Sequence, residues 1–316
     1  ITPELKEKEK FILSADDRIM AIEYDLFNQL RNYVKNLTKQ IQDVADTISF
    51  IDVMVSFAEV STNNHYVRPT FNENYSVNIV NGRHPVMEAI NKKDSYIPND
   101  VLIAENKHFL LISGPNMGGK STFMKQMALS SIMAQIGCFV AADSANLPIF
   151  DGIFTRIGAS DDLISGQSTF MVEMNEVNYA LSHCTEKSLI LFDEVGRGTA
   201  TFDGMALAQA IIEHICLEKK AITLFSTHYH ELTALVDNIE GLINLHAAVV
   251  EENDKVTFLY KMVNGATNKS YGINVARLAH LPETLLTRAK EILQIKESNG
   301  NVIVKSNTIT VNKNKP

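Results

Sequence analysis

Residues 114–122 read Gly114-Pro115-Asn116-Met117-Gly118-Gly119-Lys120-Ser121-Thr122, which is the pattern G-x-x-x-x-G-K-[ST]. Few nine-residue stretches narrow the fold of a chain as far. Glycines at both ends let the backbone turn back so that successive N–H groups point into one concavity. A helix that starts at the lysine adds its positive N-terminal end. Such a concavity holds polyphosphate: Lys120 would lie against the β- and γ-phosphates, and the Ser121 hydroxyl would complete the shell of a Mg2+ ion. The flanks agree. His108-Phe109-Leu110-Leu111-Ile112-Ser113 reads as a buried parallel strand, and Phe123, Met127 and Ile132 open a helix. Strand, glycine loop and helix in that order predict an α/β fold.

Three later stretches supply what a phosphate loop needs beside it. Ser188-Leu189-Ile190-Leu191-Phe192-Asp193-Glu194 is an apolar strand ending in two carboxylates. In an open parallel sheet the ligand crevice lies at the carboxyl ends of the strands, so Asp193 should emerge beside the loop and hold Mg2+ through water. Glu194 is then the natural group to orient and deprotonate an attacking water. Ala221-Ile222-Thr223-Leu224-Phe225-Ser226 is the next buried strand and delivers Thr227-His228 to the same edge, where His228 reads as a γ-phosphate sensor. Ser168-Thr169 stands as an N-cap before Phe170, Met174, Val177, Leu181 and Cys184, so a helix begins there with its hydroxyls at the tip.

Other segments set the context. From Asp16 to about Phe57 apolar residues recur at steps of three or four, and no glycine precedes Gly82, which predicts one long helix of the strut or coiled-coil kind. Its balanced charges read as a solvated face. Gly196-Arg197-Gly198-Thr199 and Phe202-Asp203-Gly204 read as a glycine-rich turn into a helix from Met205 to Ile215, and Ala159 to Gln167 as a polar loop. Leu242–Val250 and Lys255–Met262 read as an antiparallel hairpin. Two short helices follow, one opening at Ser270-Tyr271 and one with Pro282 at its first position; the second is too balanced in charge for a DNA-recognition helix. Tyr96 taken alone is most simply a core residue, although an aromatic there could stack on a purine. From Ser298 onward asparagine and lysine without apolar period read as a linker.

Composition bounds the partners. The formal charge of −8 and a pI near 5.6 argue against a broad basic groove, so DNA contact should be local or made by parts outside this chain. Three cysteines without C-x-x-C spacing, Cys138, Cys184 and Cys216, read as buried thiols of a reducing cytosol. No 18-residue uncharged apolar run is present, so a transmembrane span is not expected, and no membrane partner is expected. An opening Ile1-Thr2-Pro3 without Met leads us to expect a piece of a longer protein.

Taken together, Gly114 to Thr122, Ser168-Thr169-Phe170-Met171-Val172-Glu173-Met174, Leu191 to Thr199 and Thr227-His228-Tyr229 closely resemble the MutS family of DNA mismatch repair ATPases. The resemblance covers nearly the whole chain. It implies an ABC-type P-loop ATPase domain with a mixed sheet over residues 68–265. A helical end of a lever region over residues 1–67 would precede it, a helix-turn-helix dimerisation element over 266–297 would follow, and 298–316 would form a tail. It also implies ATP with Mg2+, a cytoplasmic, nucleoid-associated location, and a homodimer with composite sites. Ser168 would reach the γ-phosphate bound by the other subunit, Tyr96 with Ile97 would take the adenine, and Asn116 would contact the phosphates. Mismatched DNA would be held by domains outside this chain, with a MutL-type protein as the repair partner. Ala200 stands where the family frequently has Ser, a departure outside the core chemistry. Phe57-Ala58-Glu59 and Phe71-Asn72-Glu73 match the family's Phe-x-Glu mismatch reader only in form, since neither lies in the matching region. A paralogue acting on recombination junctions, or a nucleotide-binding interaction module without turnover, are the alternative readings.

Overall fold

The computed structural model describes residues 2–90, 96–158, 168–252, 255–267 and 271–299. The chain divides into two compact units, Ile1–Asn63 and Asn64–Pro316.

The first unit is helical. Helix α1 spans Pro3–Leu13, with the Thr2 side chain accepting from the Leu5 N–H and Pro3 in the first turn, where its missing N–H costs nothing. Helix α2 spans Ala15–Asn63, 49 residues, which at 1.5 Å per residue is roughly 74 Å. It extends past the expected end near Phe57, as the absence of Gly and Pro permits. Ile19, Ile22, Leu26, Leu30, Ile41, Val44, Ile48 and Ile51 of its stripe are all exposed.

The second unit is a mixed α/β structure. In chain order it contains β1 (Thr70–Asn72), β2 (Val77–Gly82), α3 (Pro85–Ile90), β3 (Asn99–Ile103), β4 (Phe109–Ser113), α4 (Lys120–Gln135), β5 (Ser144–Pro148), β6 (Ile153–Arg156), α5 (Thr169–His183), β7 (Leu189–Asp193), α6 (Thr201–His214), β8 (Ile222–Ser226), β9 (Leu242–Glu252), β10 (Lys255–Asn264), α7 (Gly272–Leu278) and α8 (Glu283–Asn299). Strands order as β1-β5-β2-β3 in a four-stranded sheet and β10-β9-β4-β8-β7-β6 in a six-stranded one. From β9 to β6 the larger sheet is parallel, and the β9–β10 hairpin closes its other edge antiparallel.

Both faces of the large sheet are covered, which is why its strands read as continuous apolar runs. Leu110, Ile112, Leu189, Leu191, Ile222 and Leu224 point to one side, with Phe123, Met124 and Met127 of α4 and Ile79 and Ile103 of the smaller sheet. Phe109, Leu111, Ile190, Phe192 and Phe225 point to the other, with Val177 and Ala180 of α5 and Ala208, Ile211 and Ile212 of α6. Adjacent strands alternate in step, as the period of two requires. Phe225 joins its neighbours at ring-centroid distances of 6.0 Å to Phe109 and 6.2 Å to Phe192.

Several boundaries differ from expectation. Helix α6 starts at Thr201 rather than Met205, so Phe202-Asp203-Gly204 is its first turn and not part of the preceding loop. Gly204 is glycine because a Cβ there would lie 2.0 Å from the Gly196 oxygen. Pro282 flanks α8 instead of beginning it, its carbonyl accepting from Leu285 and Leu286. The last helix continues to Asn299. The polar stretch from Ala159 to Gln167, Ser270 and the chain after Asn299 lie outside the described residues. Among the described residues no helix is long and apolar enough to cross a membrane.

Candidate nucleotide site

The register of the large sheet sets the site. Ile112 of β4 pairs with Ser226 of β8, and Ser226 pairs with Asp193 of β7, so three strands end level with one another. The glycine loop, the carboxylate pair and Thr227-His228 leave the sheet at that edge.

The loop is built by two left-handed glycines. Gly114 has φ +113° and Gly119 φ +88°, values that a side chain would strain. Asn116–Gly118 forms one tight helical turn after Pro115, and Lys120 is the first residue of α4. Ala247 of β9 packs beneath the loop, 2.6 Å from where a Cβ on Gly118 would sit. Met117 faces outward, and Thr122 is partly covered.

Lys120 is only 2% exposed. Its Nζ donates to Gly114 O at 2.7 Å and to Asn116 Oδ1 at 3.4 Å, and lies 3.4 Å from Glu194 Oε1. Burial lowers its pKa, and the Glu194 and Asp193 carboxylates work against that shift. Ser121 Oγ donates to Asp193 Oδ2 at 2.5 Å. Asp193 Oδ1 accepts from the Ser226 hydroxyl, and that hydroxyl accepts from the Glu194 N–H at 3.1 Å. Glu194 is itself left-handed, with φ +55°. Its carboxylate pairs with Arg197 Nη1 on one oxygen and with Lys120 on the other.

His228 is partly buried, and its Nδ1 has no hydrogen-bond partner among the described residues. Burial, and then the positive charge of Arg197, push its pKa below the ordinary value. The neutral ring is left with one N–H to offer an anion.

The other expected residues stand further out. Ser168 is the N-cap of α5, exposed, with its Oγ accepting from the Met171 N–H at 3.2 Å; that bond stays within its own helix. Tyr96 Oη donates to Gln126 Oε1 of α4 at 3.1 Å, and burial pushes its pKa up to about 12. Ile97 beside it is exposed. Gln126 Nε2 in turn donates to Asn99 O, and Asn99 Nδ2 to Tyr260 O, so the Tyr96 segment is anchored to both α4 and β10.

Tyr260 is a residue that sequence reasoning missed. It sits in a left-handed conformation, φ +53°, at a β-bulge between Phe258 and Met262. Its ring reaches the glycine loop, with Cδ1 3.5 Å from where a Cβ on Gly119 would be. An aromatic in a hairpin gives no local signal for this, because the bulge that turns it depends on pairing with β9.

The donors of the cluster suit a polyphosphate and a divalent cation. A hydroxyl and a carboxylate in contact, Ser121 and Asp193, are hard oxygen donors that suit Mg2+. The lysine, the loop N–H groups and a neutral histidine suit phosphate oxygens.

A family model for MutS domain V matches residues 110–297. A DNA mismatch repair protein MutS of Listeria innocua is 57% identical over 304 residues, 96% of this chain and 35% of that protein. The protein of the same name from Bacillus cereus is 56% identical over 304 residues, 96% of this chain and 34% of that protein. The chain spans about a third of the length of the curated relatives it matches. With the glycine loop, the Asp193-Glu194 pair and His228 assembled at one sheet edge, the extent of these matches is decisive: the chain belongs to the MutS family of DNA mismatch repair proteins.

Proposed function

We propose that the Asn64–Pro316 unit is an ABC-type ATPase engine of DNA mismatch repair, which binds ATP with Mg2+ and hydrolyses it at sites completed between two copies of the chain. The single observation that carries this reading is the level ending of β4, β8 and β7, which gathers Lys120, Ser121, Asp193, Glu194 and His228 at one edge.

Ser121 and Asp193 would hold the Mg2+ ion, which supplies charge neutralisation at the phosphates. Lys120 exchanges Gly114 O and Glu194 for phosphate oxygens, and this frees a Glu194 oxygen to accept a proton from the attacking water. Neutral His228 donates to the γ-phosphate. Tyr96, tied through Gln126 to the Asn99 backbone, and Tyr260, whose carbonyl accepts from the Asn99 amide, would flank the base. Ser168 at the exposed tip of α5 serves the nucleotide of the other copy, a role supported by its place outside the cluster it would otherwise join.

Conformational change driven by this site would act on mismatched DNA through parts beyond the third of the relatives' length matched here. It would also signal to a MutL-type partner.

The test is a mixing assay of phosphate release. Ser168→Ala and Lys120→Ala chains should each be inactive alone, the second with nucleotide affinity about a hundredfold weaker from loss of a buried charge partner. Mixed in equal amounts, they should regain about a quarter of the wild-type rate, because half the pairs then hold one complete site. No recovery on mixing would contradict completion between copies.

A further inference from the structure

The backbone of Gly196 is buried where three elements meet. Its N–H donates to Glu173 Oε1 of α5 at 2.5 Å, and its carbonyl accepts from Tyr229 Oη at 3.0 Å. Behind it the backbone of α6 closes in at Gly204, where a Cβ would meet the Gly196 oxygen at 2.0 Å and the Tyr229 hydroxyl at 2.5 Å. Both backbone polar groups of one loop residue are thus held by side chains from separate elements.

Each partner is next to a part of the nucleotide site. Gly196 is two residues after Glu194 and one before Arg197, Tyr229 follows His228 directly, and Glu173 lies on α5 about one and a half turns from Ser168. A second contact joins the same two segments: a Cβ on Gly198 would lie 2.8 Å from Phe170 Cβ in the first turn of α5.

The attachment of α5 divides in two. Its buried apolar residues, Val177 and Ala180, are in its second half and fix that half to the sheet. Glu173 is the buried residue of the first half. It is 6% exposed, and its other oxygen is 3.8 Å from Arg156 Nη2, while Arg156 Nε is 2.9 Å from Glu176. The end of the helix that carries Ser168 is therefore seated by this polar contact to the loop after Glu194, by Met174 against the apolar cluster and by the Arg156 ion pairs to β6. A buried carboxylate bound this way cannot leave its N–H partner without leaving both groups unpaired, so loop and helix end move together.

We propose that the Gly196 backbone is a junction, with Glu173 and Tyr229 as its positioning residues, that makes the Ser168 end of α5 follow the nucleotide bound in the same chain. This rests on the nucleotide reading given above. When phosphate takes Lys120 from Glu194, the Glu194–Arg197 loop shifts, Gly196 shifts with it, and Glu173 carries the tip of α5. In a pair of chains the nucleotide in one site thereby sets the serine offered to the other, so the two sites report to each other without a contact between their ligands.

The test is amide hydrogen exchange across residues 168–176 of the full chain with and without Mg-ADP, at a concentration where light scattering reports monomers. Binding is followed in parallel with a fluorescent ADP. In the wild type, ADP should change exchange in this segment by about fivefold or more. Tyr229→Phe and Glu173→Ala should still bind ADP, with the response of α5 lost, whereas Glu173→Gln, which keeps an acceptor for the Gly196 N–H, should restore it. A merely structural role for Glu173 would lower stability in both Glu173 variants without that rescue. Tyr229→Phe removes only a hydroxyl and keeps the test decisive if Glu173→Ala fails to fold. An α5 response equal in wild type and Tyr229→Phe, or none in wild type with ADP bound, would overturn the junction. A wild type that does not bind ADP would overturn the nucleotide reading itself.

Discussion

Glu194 holds the group proposed to take the proton, and its backbone is left-handed at φ +55°. A residue with a Cβ pays roughly 1–2 kcal/mol for that conformation. Bonds from its N–H to the oxygen and hydroxyl of Ser226 hold it there, so the carboxylate leaves β7 toward Lys120 and not along the strand. Glu194→Gly should accordingly be more stable than Glu194→Ala by about 1 kcal/mol in urea denaturation, although both remove the base. Equal stability would mean the turn stores no strain. Histidines give a second prediction. Burial holds His84, His108 and His228 below the ordinary value of 6.5. Between the folded and ordinary values the unfolded chain binds more protons, so their contribution to stability is complete above about pH 6.5 and is lost as pH falls through the folded values. The urea midpoint should be lower at pH 5.5 than at 7.5, with a smaller drop in His108→Gln; a midpoint that rises on acidification would contradict the burial of these rings.

Among the elements, α6 shows what the departure at Ala200 means physically. Ala200 is the N-cap of α6 and makes no side-chain cap, although its extended backbone, φ −59° and ψ 144°, suits one. Ala200→Ser should add about 1 kcal/mol of stability with nucleotide affinity unchanged, measured by thermal denaturation and fluorescent-nucleotide titration. A loss of stability would show that the cap position is already satisfied. What could be read from the sequence follows the same division between local and distant causes. The glycine loop, the Asp193-Glu194 strand end and the Ser168 cap lie within short stretches whose neighbours in sequence determine their geometry. Nothing local marks β1, β3 and β5, which are short strands whose pairing in the smaller sheet is non-local. The Gly196–Glu173 bond and the approach of Tyr260 to Gly119 join residues far apart in the chain, and no periodicity encodes them. Gly204 misled as a turn signal because its reason is a neighbouring backbone, not its own φ.

At the scale of the molecule, the two apolar clusters are made wholly of residues from the Asn64–Pro316 unit, whereas α2 buries only Ser61. Residues 64–316 alone should therefore unfold in one cooperative transition and bind Mg-ATP within about threefold of the intact chain. A shorter chain that is molten by near-UV circular dichroism would show that the helical unit is needed for the fold. Lys120, Asp193 and Glu194 at the carboxyl edge are proposed to form a hydrolytic site and not merely a nucleotide-binding one. The most direct measurement is the identity of the nucleotide that stays bound to Glu194→Ala after incubation with Mg-ATP. ATP should be retained, with hydrolysis slowed by about a hundredfold or more relative to wild type. Conversion of the bound ATP to ADP at the wild-type rate would contradict that role.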